Sequence, residues 1–191
     1  PRIKALMNIL GFSFSEAVSY TTVGCNEIAF PGAMECRTTT NNLMRSLVNT
    51  LYKRSDESIG CASFDQFFDL YSQELTKDID RMIYYNDMFD SICMKDCNVL
   101  SAFMMNGAIE EGRSHTQGGG EKRFGGITAL GTTNVIDSLS IIKQFVFDEK
   151  RTSMAHLIEV MKSNWEADMD LHTEIMKEGK FFGNGYEQAD Q

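Results

Sequence analysis

Cys25 and Glu27 are the two residues whose types and spacing could do chemistry together. They stand in Tyr20-Thr-Thr-Val-Gly-Cys-Asn-Glu-Ile-Ala-Phe-Pro-Gly32, where a strand-like run from Tyr20 to Val23 leads into a tight loop. In an extended backbone residues i and i+2 point to one side, so thiol and carboxylate would face one cavity, roughly 6–7 Å apart along the chain. A thiol offers a nucleophile or a hydrogen atom, and a carboxyl beside it can carry a proton. Gly24 lets the backbone turn or approach a ligand, and Pro31-Gly32 is a turn signal closing the loop. On spacing alone a plainer reading competes. A cysteine after Val-Gly is more often a small buried hydrophobe, and Glu27 a solvated loop residue.

The elements that must position this pair can be read from periodicity. Pro1 to Leu10 has apolar spacing for a short helix ended by Gly11, and Ser15 with Glu16 opens one further turn. Thr38–Thr40 offers caps for a helix to about Arg54 with Leu43, Leu47, Val48 and Leu51 on one face, and the polar residues from Ser55 to Gly60 read as a loop. Ser63-Phe-Asp-Gln66 fits a capping box opening a long helix to about Asp87, with Phe67, Phe68, Tyr71, Leu75, Ile79, Met82 and Ile83 on its buried side. Val99–Met105 is apolar enough for a buried turn or two. A strand at Ile127–Leu130 precedes an apolar helix capped by Thr132 or Thr133, and this succession suggests α/β layering with the helix on a sheet. Two more helices follow, one opened by Thr152 or Ser153, the other over Met169–Lys177 with Gly179 at its C-terminus.

Composition removes several function classes. The chain has 191 residues, 42% hydrophobic and 24% charged, as in a soluble globular domain with a proper core. A net charge of −9 leaves no electrostatic footprint for nucleic acid, and no apolar run reaches the length of a membrane span. Five cysteines without framework spacing suit a reducing cytoplasm. Cys93 and Cys97 are four apart but have no third or fourth ligand at zinc-like spacing, and His115, His156 and His172 are too scattered for a metal set. The Gly118–Gly120 and Gly125–Gly126 runs lack a following Gly-Lys-Ser/Thr and a G-x-G-x-x-G frame, so they read as a flexible loop rather than a phosphate cradle.

Ser15-Glu-Ala-x-x-Tyr20, Val-Gly-Cys25-x-Glu27 and Pro31-Gly32 together resemble the active-site cysteine loop of the glycyl radical enzymes, the pyruvate formate-lyase-like superfamily. Asn106-Gly-x-Ile-Glu-x-Gly112, His115-Thr-Gln-Gly-Gly119, Gly131-x-Thr-Asn-Val-Ile-Asp-Ser-Leu139, Ile142-Lys-x-x-Val-Phe147, Asn164-Trp165 and Phe182-Gly-Asn184 look like successive blocks of the same superfamily, in order. The resemblance therefore covers nearly the whole chain. It implies an α/β fold, helix-rich, forming part of a ten-stranded α/β barrel, with residues 1–191 a single partial domain. The family's long N-terminal half is missing, and so is its radical-storing Arg-Val-x-Gly-aromatic segment, since Gly185-Tyr186 does not match it. Alone, such a piece is expected to be inactive.

By the same resemblance, Cys25 is the thiyl residue that takes a hydrogen atom from substrate, and Glu27 is the proton carrier. The implied cofactor is a protein glycyl radical installed by a radical S-adenosylmethionine activating enzyme with an iron–sulfur cluster, none of it bound by this segment. The implied partners are a small-molecule substrate, that activating enzyme, the remainder of the parent polypeptide and, in the intact enzyme, a second copy in a homodimer. Val23, Ile28 and Phe30 are candidates for an apolar surround that keeps the thiol protonated. A single cysteine followed by Asn26 departs from the adjacent pair of the formate acetyltransferases and resembles the lyase branches. Those branches include diol dehydratases, choline and isethionate lyases and arylacetate decarboxylases. No Asp occurs between Ala33 and Asn42, and Thr39 stands where a diol dehydratase would hold a substrate hydroxyl, which disfavours a diol. Acyl transfer of the formate acetyltransferase type, or a non-catalytic truncated homologue, remains the alternative.

Overall fold

A computed structural model of the protein describes residues 2–24, 27–120 and 123–190; for Val23, Glu27, Gln188 and residues 34–38 and 123–126 the description is of the backbone alone. The described residues fall into two units, Pro1–Thr39 with Met82–Thr128, and Thr40–Arg81 with Ala129–Gln191.

The chain opens with helices α1 (Arg2–Leu10) and α2 (Phe14–Val18) and a short antiparallel hairpin, β1 (Thr21–Val23) and β2 (Glu27–Ala29). Gly11, at φ +69°, ends α1 as its position suggests. Ser13 caps α2 reciprocally with Glu16: the Ser13 N–H donates to Glu16 Oε2 at 2.7 Å and the Glu16 N–H to Ser13 Oγ at 3.3 Å. Leu6, Phe12, Ala17 and Phe30 form the small core of this region, with the Phe12 and Phe30 rings stacked at 4.5 Å.

Strand β3 (Met34–Asn42) runs through the Thr38–Thr40 cluster expected to cap a helix, and the cap is Asn42, whose side chain accepts from the Arg45 N–H at 3.2 Å. Three consecutive β-branched threonines favour extended backbone, which outweighs their capping ability. Helix α3 (Leu43–Lys53) follows, and Ser55–Gly60, expected as a loop, is helix α4. The Ser58 hydroxyl there donates to the Thr50 carbonyl, so a buried polar side chain fastens α4 to α3.

Helix α5 (Phe64–Cys93) starts where expected and runs for 30 residues. Its opening is a displaced capping box: Ser63 Oγ accepts from the Gln66 N–H, but Gln66 Oε1 accepts from Ala62 rather than from Ser63. Phe67, Leu70 and Tyr71 are buried, whereas Phe68 and Ile83 are exposed. Short helices α6 (Val99–Ala102) and α7 (Ala108–Glu111) precede β4 (Arg123–Leu130). The apolar side chains around α6 are not buried, Leu100 being 78% and Met104 79% exposed.

Helix α8 (Thr132–Ile141) passes into a π-helical turn, Ile142–Asp148, and is followed by α9 (Met154–Lys162), α10 (Met169–Glu178) and α11 (Glu187–Asp190). The apolar face of α8 packs against helices rather than a sheet. Val135, Ile141, Ile142 and Phe145 share a core with Leu47 and Leu51 of α3, Phe67 and Tyr71 of α5, Leu157 of α9 and Ile175 of α10. Gln144 stabilises the π turn, its amide donating to the Glu178 carbonyl and accepting from the Lys180 N–H.

The ten-stranded barrel implied by the resemblance is corrected here. Among the described residues the strands form two separate two-stranded sheets, β1–β2 and β3–β4, and neither closes. Closure requires every strand to be paired on both edges, and each of these strands has one neighbour. The fold is α/β and helix-rich, with no barrel among the described residues.

Candidate active site

The hairpin gives the cysteine stretch its frame. Thr21 lies opposite Ala29, Thr22 opposite Ile28 and Val23 opposite Glu27, so the connection is the three residues Gly24, Cys25 and Asn26. Gly24 has φ +53°, a left-handed conformation that glycine adopts without a Cβ penalty. Cys25 and Asn26 lie outside the described residues, and of Glu27 the backbone alone is described, as the first residue of β2. The expected strand at Tyr20–Val23 is present as Thr21–Val23.

Beyond β2 the chain is anchored firmly. Ile28 and Phe30, two apart and on one face, enter the core with Leu6, Phe12 and Ala17, and Phe30 is only 7% exposed. Of the three residues expected to surround the thiol, Phe30 is thus buried and Ile28 half-buried, while the Val23 side chain lies outside the description. Pro31-Gly32 makes the tight turn its sequence signals: the Ala33 N–H donates to the Phe30 carbonyl at 3.2 Å, with Gly32 at φ +67°.

Asn106 sits directly on this turn. Its N–H donates to the Gly32 carbonyl at 2.9 Å, and a Cβ on Gly32 would lie 2.5 Å from the Asn106 amide atoms. The glycine run expected as a flexible loop approaches the same residue at Gly120. Gly118 and Gly120 have φ +85° and +113°; a Cβ on Gly119 would meet the Arg113 carbonyl at 2.1 Å, and one on Gly120 would touch the Asn106 carbonyl at 3.6 Å. These glycines serve close backbone packing. Thr39 accepts a hydrogen bond from Asn86 Nδ2 of α5 at 2.7 Å. Sequence reasoning met Asn106 only as the first residue of the block from Asn106 to Gly112, with no role attached, and did not single out Asn86.

Each histidine has its own partner: His115 Nδ1 lies 2.6 Å from Ser101 Oγ, His156 Nε2 lies 2.9 Å from Asp168 Oδ2, and the His172 ring packs on Trp165. Among the described residues no group of three or more His, Cys, Asp and Glu side chains could hold a metal. Cys61 is half-buried, and burial pushes its thiol pKa up, so it is a packing thiol. An apolar cavity of about 390 Å³ lies among α3, α8, α9 and α10, walled by Leu47, Leu51, Ile141, Leu157, Trp165 and Phe181. Its few polar groups include Asp137, which already accepts from the Phe182 N–H at 2.7 Å. Among the described residues no helix is long and apolar enough to cross a membrane.

Comparison with known proteins gives a consistent set. A family model for pyruvate formate lyase-like proteins matches residues 2–191. The (2S)-3-sulfopropanediol dehydratase of Klebsiella oxytoca is 29% identical, over 100% of this chain and 25% of its own length. The isethionate sulfite-lyase of Bilophila wadsworthia is 26% identical, over 95% of this chain and 24% of its own length. The fold matches the crystal structure of hydroxyproline dehydratase from Clostridioides difficile with bound trans-4-hydroxy-L-proline at a TM-score of 0.90 and 24% identity, covering 98% of this chain and 26% of that one. The chain thus spans about a quarter of the length of the relatives it matches.

Proposed function

The chain belongs to the pyruvate formate lyase-like family, and from that premise we propose that it is the cysteine-bearing part of a longer glycyl radical lyase acting on a carbon–heteroatom bond. The observation that supports this reading is the hairpin, in which Val23 lies opposite Glu27, so that the chain between the paired strands carries Cys25. The named relatives, a dehydratase and a sulfite-lyase, support bond cleavage at C–O or C–S over acyl transfer. The substrate class is a small polar molecule with a hydroxyl or sulfonate leaving group next to an abstractable C–H. In this reading residues 1–191 are one partial domain, and the parent enzyme is a homodimer.

The glycyl radical, installed by an activating enzyme with S-adenosylmethionine and an iron–sulfur cluster, supplies one oxidising equivalent. Cys25 receives it by giving up its thiol hydrogen, and the thiyl then takes a hydrogen atom from the substrate carbon. That role needs a neutral S–H, which apolar neighbours favour by opposing the thiolate; half-buried Ile28 and buried Phe30 flank the stretch. Glu27 exchanges a proton with the substrate as the leaving group departs, and Cys25 finally returns its hydrogen to the product radical, recovering the thiyl.

The test is Glu27→Gln in the full-length polypeptide, activated without oxygen. Glutamine keeps shape and hydrogen bonding but carries no exchangeable acid proton, so turnover should fall about 10²–10⁴-fold. Near-parental turnover in Glu27→Gln, with Glu27→Ala merely less stable, would remove Glu27 from the mechanism.

A further inference from the structure

Positional accuracy is the demanding part of hydrogen-atom transfer, because a displacement of about 1 Å costs up to about 10²-fold in rate. The described part of the cysteine hairpin offers few means of holding position. Its two strands have three residues each, and short isolated hairpins are marginally stable. What fixes it lies after Ala29: the buried Phe30, stacked on Phe12, and the Pro31-Gly32 turn. The turn in turn rests on Asn106, through the 2.9 Å bond from its N–H to the Gly32 carbonyl and through its amide, packed where a Gly32 Cβ would be.

We infer that Asn106 is a positioning residue for the cysteine hairpin, and that Gly32 is glycine because the Asn106 side chain occupies the space beside it. The inference rests on the reading of Cys25 as the reacting thiol. Two features of Asn106 make it a fixed support. Its carbonyl is packed against Gly120, and it directly precedes Gly107, whose φ of +80° starts α7. The Pro31-Gly32 turn and Gly120 therefore both pack against Asn106. Gly32 also needs its positive φ, so a substitution there has two separable costs: backbone strain, which asparagine tolerates better than alanine, and collision with Asn106, which both suffer.

A double-mutant cycle on the full-length, activated protein separates these costs, with kcat, KM and folded fraction measured for each variant. Gly32→Ala and Gly32→Asn should each lower kcat about 10-fold or more with KM nearly unchanged, at a folded fraction matching the parent. In an Asn106→Ala background, which keeps the N–H bond and removes the side chain, the loss from either Gly32 substitution should shrink at least about threefold. Should Gly32→Ala fail to fold, Gly32→Asn carries the cycle, since its backbone strain is smaller. Equal losses in both backgrounds, or losses that follow the folded fraction alone, overturn the inference. Cys25→Ala serves as the control. If it is inactive and the cycle shows no coupling, the positioning role alone fails; if it remains active, the reading of Cys25 fails and takes the positioning role with it.

Discussion

Asp78 is a residue no motif announced, and its charge is held by three side chains. Its side chain, 5% exposed, accepts from Arg45 at 2.8 Å and Ser46 at 2.8 Å, with Arg81 at 3.2 Å. Burial alone would raise its pKa, yet the hydrogen bonds from Arg45 and Ser46 and the two guanidinium charges outweigh burial and hold the carboxyl below its usual value. A depressed folded pKa contributes stability that is present above the unfolded value near 4 and is lost as pH falls through the folded one. Asp78→Asn should therefore be less stable than the parent at pH 7 by about 1.5–3 kcal/mol, and this gap should close below about pH 4. Denaturant unfolding of both proteins at pH 7 and pH 3 measures it; an equal gap at the two values would contradict the assignment. In sequence Asp78 is one acidic residue on a long helix, and nothing local says that Arg45 and Ser46, over thirty positions earlier, will meet it.

At the scale of elements, what was legible depended on how local the cause was. The starts of α5, α9 and α10 were set by caps and periodicity within one turn, and those signals were readable, whereas α5 runs to Cys93, past the expected end near Asp87. The strand through Thr38–Thr40 was missed because its partner, β4, lies some eighty residues away. Helix α4 was missed because its polar residues are satisfied by α3, as Ser58 is by Thr50. Gly179 shows a third case. It was read as a helix-ending glycine, and it does end α10, but at φ −65° rather than in a left-handed turn. Its reason is space: a Cβ would lie 2.5 Å from Ile141 Cδ1, 2.6 Å from the Ile175 carbonyl and 2.8 Å from Phe181. Because the carbonyl cannot give way, Gly179→Ala should cost about 1–3 kcal/mol. Gly60→Ala, with open space and no positive φ, should leave stability nearly unchanged. Thermal unfolding of the two variants distinguishes a packing glycine from a generic helix terminus; equal midpoints would contradict the packing account.

For the whole molecule, the family was legible because its blocks are short, ordered and spread along the chain, and the family match from residue 2 to 191 agrees. The barrel that the resemblance implied is overturned, because closure is a property of how many strands meet, and the strands described here pair only two by two. The unit made of Pro1–Thr39 and Met82–Thr128 exposes Ile9, Leu100, Phe103 and Met104, each at 68% or more. Large exposed apolar patches mark surfaces that other protein covers, and the chain spans about a quarter of its relatives' length.

The central claim is that Cys25 relays the radical to substrate. Its most direct test is Cys25→Ala in the full-length polypeptide, treated anaerobically with the activating enzyme, with the protein radical quantified by electron paramagnetic resonance and turnover measured on the same sample. The account predicts a radical signal close to the parent's and no detectable turnover. Parental turnover in Cys25→Ala, at the same radical content, would contradict it.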